Sequence, residues 1–252
     1  MNDRIQQILV VAGTVLTLIF NWLASTGILG GITTGAVSDK YSTLITPPGF
    51  AFSIWAAIYL GLILFTIVQT RSRNKEALRS IRILYLGTCI VNSLWLYLWS
   101  LEMMVACLVV IVLLLALLAA INIRLQKVES KELYWFAFVP FGIYFGWVTA
   151  ATILNATIAL VSLGVTFGDR TDTLVGTLLL VVAGLIAISV RFAMKNYFFA
   201  LAIAWASLTI GIGNSANLSV TIGATIAVVF SLISAGLFVI DMKGSADMDV
   251  NA

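Results

Sequence analysis

The stretch VIVLLLALLAAI, residues 110–121, is apolar on every face of any regular secondary structure. A strand of a transmembrane barrel alternates lipid-facing and polar residues, so a barrel strand does not fit this stretch. The apolar run extends over 104–122, which matches the roughly 20 apolar residues that a helix needs to cross the hydrocarbon core of a bilayer. The sequence therefore predicts a transmembrane helix here.

Similar apolar runs recur along the whole chain, separated by short clusters of charged residues. Of the 252 residues 61% are hydrophobic and only 10% are charged, and the mean hydropathy is +1.08. These values lie far outside the range of a soluble domain. The pattern predicts an all-α, polytopic transmembrane helix bundle with about eight spans. We place the spans at 6–26, 50–69, 83–100, 104–122, 134–162, 174–190, 197–213 and 219–240.

The positions of the basic residues predict the orientation of these spans. Lys and Arg that flank a span tend to stay on the cytoplasmic side. With both termini in the cytoplasm, all of the 14 Lys and Arg residues except Lys40 and Arg170 fall on that side. The basic loop RSRNKEALRS (71–80) is interpreted as part of this topology signal, and no nucleic-acid partner is expected. The short loops and tails favour a bacterial cytoplasmic membrane.

Several kinds of chemistry have no residues to support them. The chain has no histidine, so imidazole metal sites and histidine-based catalysis are not expected. Cys89 and Cys107 fall in consecutive spans, where a thiol usually behaves as a small hydrophobe. Every Asp and Glu falls in a predicted loop or tail, so the usual carboxylate of an ion-coupled transporter is missing from the spans. We expect no metal site, no required cofactor and no catalytic residue.

Aromatic and amide side chains remain as the chemistry inside the spans. In the third span Asn92, Trp95 and Trp99 are three and four residues apart, which places them on one helical face. In the fifth span Trp147, Ala151 and Asn155 advance by four and also share a face. These two faces are candidate ligand-binding surfaces.

A simpler interpretation exists for each of these residue types. A buried Asn often makes an interhelical hydrogen bond that holds a bundle together. A Trp often lies in the belt at the membrane surface, which suits Trp99 and Trp135, near span ends, better than Trp55, Trp95 or Trp147. The depth of the residues favours a shared site. The second span runs inward from Pro48, so Trp55 lies roughly 10 Å below its start, at the depth of the aromatic residues on the other helices. Together they predict a hydrophobic ligand cavity in the outer half of the membrane.

Three sequence blocks resemble the TspO/MBR family, the tryptophan-rich sensory proteins related to the mitochondrial translocator protein. They are PPGFAFSIWAAIYLG (47–61), NSLWLYLW (92–99) and WVTAATILN (147–155), and they occur in the order of the family's second, third and fifth helices. Pro47, Pro48 and Gly49 match the family's Pro-Pro-Gly. Phe50 and Ser53 depart from it, since the family usually has Trp and commonly has Pro there.

The resemblance implies a five-helix bundle over residues 1–163. It does not account for residues 164–252, which we expect to add a three-helix transmembrane region with a short cytoplasmic tail, as in an enlarged, distant branch of the family. The resemblance also implies that the long outer loop, 27–49, folds over a tryptophan-lined cavity. The alternative is that this glycine-rich loop is only a flexible connector.

Three classes of function remain after the resemblance is taken into account. It implies binding, and sensing or moving, of planar hydrophobic molecules such as a porphyrin or other tetrapyrrole, or a sterol. The expected ligand-binding residues are Trp55, Asn92, Trp95, Trp99, Trp147, Ala151 and Asn155, with Pro47, Pro48 and Gly49 forming the turn. The second class is an uncoupled small-molecule transporter that uses all eight spans. The third, enzymatic class is light-dependent porphyrin breakdown, which some relatives are reported to promote.

The remaining expected partners are membrane lipids and a second copy of the chain. The stretch LAIAWASLTIGIG (201–213) is rich in small residues, which permit close helix contact. It fits either helices packed on the first five or the interface of a homodimer.

Overall fold

The computed structural model describes the backbone of residues 2–72, 75–127, 130–165 and 168–250, and the same side chains except those of 75–77 and 238–250. Every regular element in these ranges is helical. The elements are α1 (Asp3–Ser25), α2 (Thr34–Lys40), a 3₁₀ turn (Gly49–Ser53), α3 (Ile54–Arg71), α4 (Lys75–Ser100), α5 (Met104–Leu125), α6 (Lys131–Leu133), a π-helical turn (Tyr134–Phe138), α7 (Val139–Ser162), α8 (Asp169–Met194), α9 (Tyr197–Gly213) and α10 (Leu218–Val250).

The prediction of an all-α, polytopic membrane bundle is confirmed. Within the described residues, 7 helical segments are long and apolar enough to cross a membrane. The remaining predicted span corresponds to α9, which has 17 residues and is therefore at the lower limit of the length that crosses the hydrocarbon core. The chain is a multi-pass membrane protein.

The second and fifth predicted spans contain irregular turns that apolar periodicity does not reveal. The second begins with the 3₁₀ turn Gly49–Ser53 before it becomes α-helical at Ile54. The fifth begins with the π-helical turn Tyr134–Phe138. Pro140 follows this turn as the second residue of α7; because proline has no backbone N–H, it cannot donate a hydrogen bond to the preceding helical turn.

The last three helices pack directly onto the first part of the chain through close backbone contacts. A Cβ added to Gly146 of α7 would lie 2.4 Å from the carbonyl oxygen of Phe199 in α9. At the start of α9, Asn196 accepts hydrogen bonds from the N–H groups of Phe198 and Phe199, each at 3.1 Å. Its Nδ2 donates to Oδ1 of Asn122 in α5 at 2.7 Å. The helices after residue 163 therefore share one packed core with those before it, and the division into two regions at 163 stays a prediction.

A buried polar cluster joins α1, α3 and α4 at the end of the bundle where α1 begins. Arg82 is fully buried. Its Nε donates to Oε1 of Gln69 at 2.6 Å, and its guanidinium also contacts the Asp3 carboxylate. A buried charge is stable only when it is paired and hydrogen-bonded. Arg82, which directly precedes the predicted third span at 83–100, is thus part of the helix packing at this end.

Candidate functional site

A cavity of about 570 Å³ lies near the end of the bundle covered by the loop 27–49, which we call the lid. Residues from α1, the lid, the 3₁₀ turn, α3, α4, α5, α7 and α9 surround it. The lining residues are Leu18, Asn21, Trp22, Ser25, Thr33, Thr34, Gly35, Ser38, Ile45, Pro47, Gly49, Phe52, Trp55, Tyr59, Asn92, Trp95, Leu96, Trp99, Ile111, Leu114, Trp147, Val148, Ala150, Ala151, Leu154, Asn155, Ala206 and Ile210. Its volume lies in the range of small-molecule sites in proteins.

The structure brings the expected site residues together around this cavity, with one exception. Trp55, Asn92, Trp95, Trp99, Trp147, Ala151, Asn155, Pro47 and Gly49 all line it. Pro48 does not line it. The Pro48 carbonyl accepts a hydrogen bond from the N–H of Ala51 at 2.8 Å and so begins the 3₁₀ turn. Pro48 therefore shapes the wall without contributing to its surface, and binding of a ligand by the other residues stays a prediction.

Trp95 and Trp99 form a stacked pair on α4. Their ring centroids are 5.1 Å apart and their planes differ by 29°. The indole N–H of Trp95 donates to Oδ1 of Asn155 at 3.1 Å, and that of Trp99 donates to the carbonyl of Thr34 in the lid at 3.1 Å. Trp99 is only 3% exposed, which rules out a lipid-facing belt position for this residue.

A second aromatic group lies in the cavity wall where α3 meets α7. Trp55 stacks on Tyr59 with a centroid distance of 5.4 Å and an angle of 22° between the planes. Trp147 contacts both Trp55 and Phe52 edge to face, with centroids 6.4 Å and 6.0 Å apart. Edge-to-face contacts of this kind fix the ring positions. The cavity wall is therefore held in shape by aromatic packing across three segments.

Two asparagine amides at the cavity form hydrogen bonds with other protein groups. The hydroxyl of Tyr59 donates to Oδ1 of Asn21 at 2.7 Å, and Nδ2 of Asn21 donates to the carbonyl of Thr17 at 2.8 Å. Asn155 accepts from Trp95, as described above, and donates through Nδ2 to the carbonyl of Ala151 at 2.8 Å. Both amides therefore act as structural links between helices, which is the simpler interpretation of a buried Asn.

Asn92 and Ser38, unlike Asn21 and Asn155, each have a buried polar atom without a hydrogen-bond partner in the described part of the chain. Both line the cavity and are 2% and 1% exposed. Nδ2 of Asn92 and Oγ of Ser38 are buried and have no hydrogen-bond partner within the described part of the chain. A buried polar group without a partner is costly in free energy. Both atoms have almost no accessible surface, so a ligand in the cavity would gain affinity from them once the Asn92 and Ser38 side chains turn toward it.

The lid is an ordered segment that includes α2. Thr33 begins this helix, and its hydroxyl accepts a hydrogen bond from the N–H of Ala36 at 3.2 Å. Gly27, Gly30 and Gly31 have φ values of 76°, 101° and 79°. A side chain strains this left-handed backbone, and glycine adopts it freely. The turns at these three glycines allow the chain after α1 to fold back over the cavity.

The lid is fastened to the turn between α4 and α5. Nζ of Lys40 lies 2.5 Å and 2.8 Å from the two carboxylate oxygens of Glu102, and the hydroxyl of Tyr41 donates to Glu102 at 2.7 Å. We call these three residues the latch. Hydrogen bonds from Lys40 and then Tyr41 lower the pKa of the Glu102 carboxyl, and the same contact with Glu102 raises the pKa of Lys40 and of Tyr41. At neutral pH the latch therefore consists of a charged Lys40, a charged Glu102 and a neutral Tyr41 that donates its hydroxyl proton.

The structure also places in the site residues that the sequence did not single out. Tyr59 lies four residues after Trp55, a spacing that could have identified it. Ala206 and Ile210 come from α9 and have no sequence signal for this role. Trp205 does not line the cavity, but its indole N–H donates to the carbonyl of Ala51 at 2.8 Å. α9 therefore contributes to the wall and also supports the turn that leads into α3.

A comparison with protein families gives one match that covers most of the chain. The family described as TSPO-like protein matches residues 7–237. The match extends from α1 into α10, well beyond residue 163, where the resemblance seen in the sequence ended. Comparisons with curated proteins and with solved structures gave no significant match.

Proposed function

The chain belongs to the TSPO-like protein family, and from that premise we propose that it binds planar hydrophobic molecules of the porphyrin or sterol class in the tryptophan-lined cavity, in order to sense or move them. The observation that supports the proposal most is the convergence of Trp55, Trp95, Trp99 and Trp147 on one cavity of about 570 Å³. Indole rings offer large, rigid apolar faces, which suit a flat ligand.

The burial of the tryptophan rings also supports the binding of a flat ligand. The stacked Trp95–Trp99 pair lies on α4, and the group of Trp55, Tyr59 and Trp147 lies on α3 and α7. Three of the four tryptophans are at least nine-tenths buried, so their rings are already desolvated and held in place. A preorganised wall loses little conformational freedom when a ligand binds.

The orientation of the protein belongs to the same proposal. The distribution of Lys and Arg favours an orientation with both termini in the cytoplasm. In this orientation the lid and the cavity lie on the outer side of the cell membrane. A molecule from the exterior or from the outer leaflet would then reach the site first.

A titration of purified protein with a porphyrin, monitored by quenching of tryptophan fluorescence, tests the proposal. We expect saturable quenching in the parent protein. Trp147→Phe should weaken binding roughly five- to a hundredfold, because indole surface and its N–H are lost. Trp135→Phe is the matched control, because Trp135 is 48% exposed and lies outside the cavity. If no porphyrin or sterol bound the parent protein, the proposal would be wrong.

Uncoupled transport is a second candidate function, and the contribution of α9 favours it. Ala206 and Ile210 line the cavity, so helices from both parts of the chain surround the same space. A wall made by two packed parts can open by a small shift between them. Ligand flux into liposomes that contain the protein distinguishes transport from binding alone.

A further inference from the structure

We infer that the cavity selects uncharged ligands that carry a neutral hydrogen-bond acceptor, and that it discriminates against carboxylate or sulfate forms of the same planar molecules. This inference rests on the proposed function and narrows its ligand class. It follows from the charge and the hydrogen-bond state of the cavity wall.

The wall offers no charge to a ligand. Among the described residues that line the cavity, none is Lys, Arg, Asp or Glu, and the chain contains no His. An anionic group moved from water into such an apolar space loses its hydration without gaining a counter-ion. The free energy lost in this way opposes the gain from stacking on the indole rings.

The basic residue of the lid is already engaged. Lys40 is the single Lys or Arg between residues 27 and 49, and Glu102 binds it through both carboxylate oxygens. An anionic ligand near the lid would compete with Glu102, which already holds Lys40 and accepts from Tyr41. The latch therefore neutralises the cation that a carboxylate ligand would otherwise use.

The unpartnered polar atoms at the wall define what the ligand should supply. Nδ2 of Asn92 is a donor and needs an acceptor, and Oγ of Ser38 both donates and accepts. The amides of Asn21 and Asn155 already bond within the protein. A carbonyl, ester or hydroxyl oxygen would satisfy Asn92 and Ser38, once their side chains turn toward the cavity, without carrying charge into the apolar space.

Matched pairs of ligands test the inference. Mesoporphyrin IX is compared with its dimethyl ester, and cholesterol with cholesteryl sulfate, using the full chain in the same detergent. We expect the uncharged member of each pair to bind more tightly by about tenfold or more. Ala151→Phe places a ring in the cavity and should block the site. The signal that remains in this variant measures partition of the ligand into detergent, and it is subtracted for every ligand.

A variant that adds a charge gives an independent test. Ser25 lines the cavity and is exposed at its edge, so the bundle should accept Ser25→Lys there. This variant should raise the affinity for mesoporphyrin IX relative to the affinity for its ester, whereas Ser25→Met, of similar length, should leave the ratio of the two affinities as it is in the parent protein.

Three outcomes distinguish a failure of this inference from a failure of the proposed function. Tighter binding of the uncharged members, with rescue of the acid by Ser25→Lys, supports both. Equal or tighter binding of the anionic members to the parent protein overturns the inference and leaves the proposed function standing. Absence of saturable binding for all four ligands overturns both.

Discussion

The indole N–H of Trp95 donates to Oδ1 of Asn155 at 3.1 Å and so connects α4 to α7 across the cavity wall. The Asn155 amide is held from the other side by its bond to the carbonyl of Ala151. The orientation of the Trp95 ring, and with it the stacked Trp99, therefore depends on a residue 60 positions later in the chain.

Trp95→Phe and Asn155→Ala should lower the affinity for a planar ligand in a coupled manner. Either change alone breaks the same hydrogen bond, so the double variant should lose less than the sum of the two single variants. We expect a coupling of about 1 kcal/mol, measured by fluorescence titration of all four proteins. Strictly additive losses would show that the two residues contact the ligand independently.

Asn92→Leu should lower ligand affinity without lowering thermal stability. Because Nδ2 of Asn92 has no partner in the described part of the chain, its replacement by an apolar side chain of similar size removes an unsatisfied polar group. We expect a melting temperature equal to or above that of the parent, and roughly five- to tenfold weaker binding of an acceptor-bearing ligand. A lower melting temperature with unchanged affinity would instead identify Asn92 as a packing residue.

Opening of the latch should speed ligand exchange. Glu102→Gln removes the negative charge that holds Lys40. Because an exposed ion pair contributes little free energy, we expect ligand association and dissociation to become faster by only about two- to fivefold. Stopped-flow fluorescence measures the rates. Glu132→Gln is the matched control, because Glu132 lies in α6, away from the lid. Equal rates in the parent and in Glu102→Gln would show that the lid does not limit access.

The same exchange rates should depend on pH in a defined direction. The hydrogen bond from Lys40 holds the pKa of Glu102 below its ordinary value. The contribution of the latch is therefore fully present above the ordinary pKa of a glutamate and is lost as the pH falls through the lowered pKa. Exchange in the parent should accelerate in that acidic range, and Glu102→Gln should lack this step.

Reporter fusions test the orientation of the spans. Fusions after residues 75, 128 and 194 should report the cytoplasm, and those after residues 40, 102 and 170 the exterior, because the basic residues cluster at the first set. An external signal from the loop 71–80 would reverse the map and place the lid on the cytoplasmic side.

Gly146→Ala should weaken the contact between α7 and α9. The added Cβ would lie 2.4 Å from the Phe199 carbonyl oxygen, a rigid backbone atom, so the helices must separate. We expect a loss of stability of about 1–3 kcal/mol, visible as a lower melting temperature in detergent. Gly236→Ala is the control, since nothing lies within 4 Å of that position. A melting temperature unchanged by Gly146→Ala would contradict the close contact.

Part of the site could be read from local spacing. Asn92, Trp95 and Trp99 share a face of α4 at intervals of three and four, and helical geometry alone places them together. The same holds for Trp147, Ala151 and Asn155 on α7. Pro47, Pro48 and Gly49 marked the start of the second span, although the short 3₁₀ turn before Ile54 was not visible in the pattern.

The sequence by itself determined that the chain crosses a membrane as a helical bundle, because apolar length and the spacing of charges suffice for that conclusion. Only the tertiary structure decided that Tyr59 bonds Asn21, that Lys40 and Tyr41 hold Glu102, and that Ala206 and Ile210 complete the cavity. The physical reason is that these contacts join residues far apart in the chain, which local spacing does not relate. For Ala206 and Ile210, α9 is apolar on nearly every face, so its composition does not indicate which face turns toward α7. That rotation is set by close contacts such as Gly146 against Phe199, which exist only once the helices have packed.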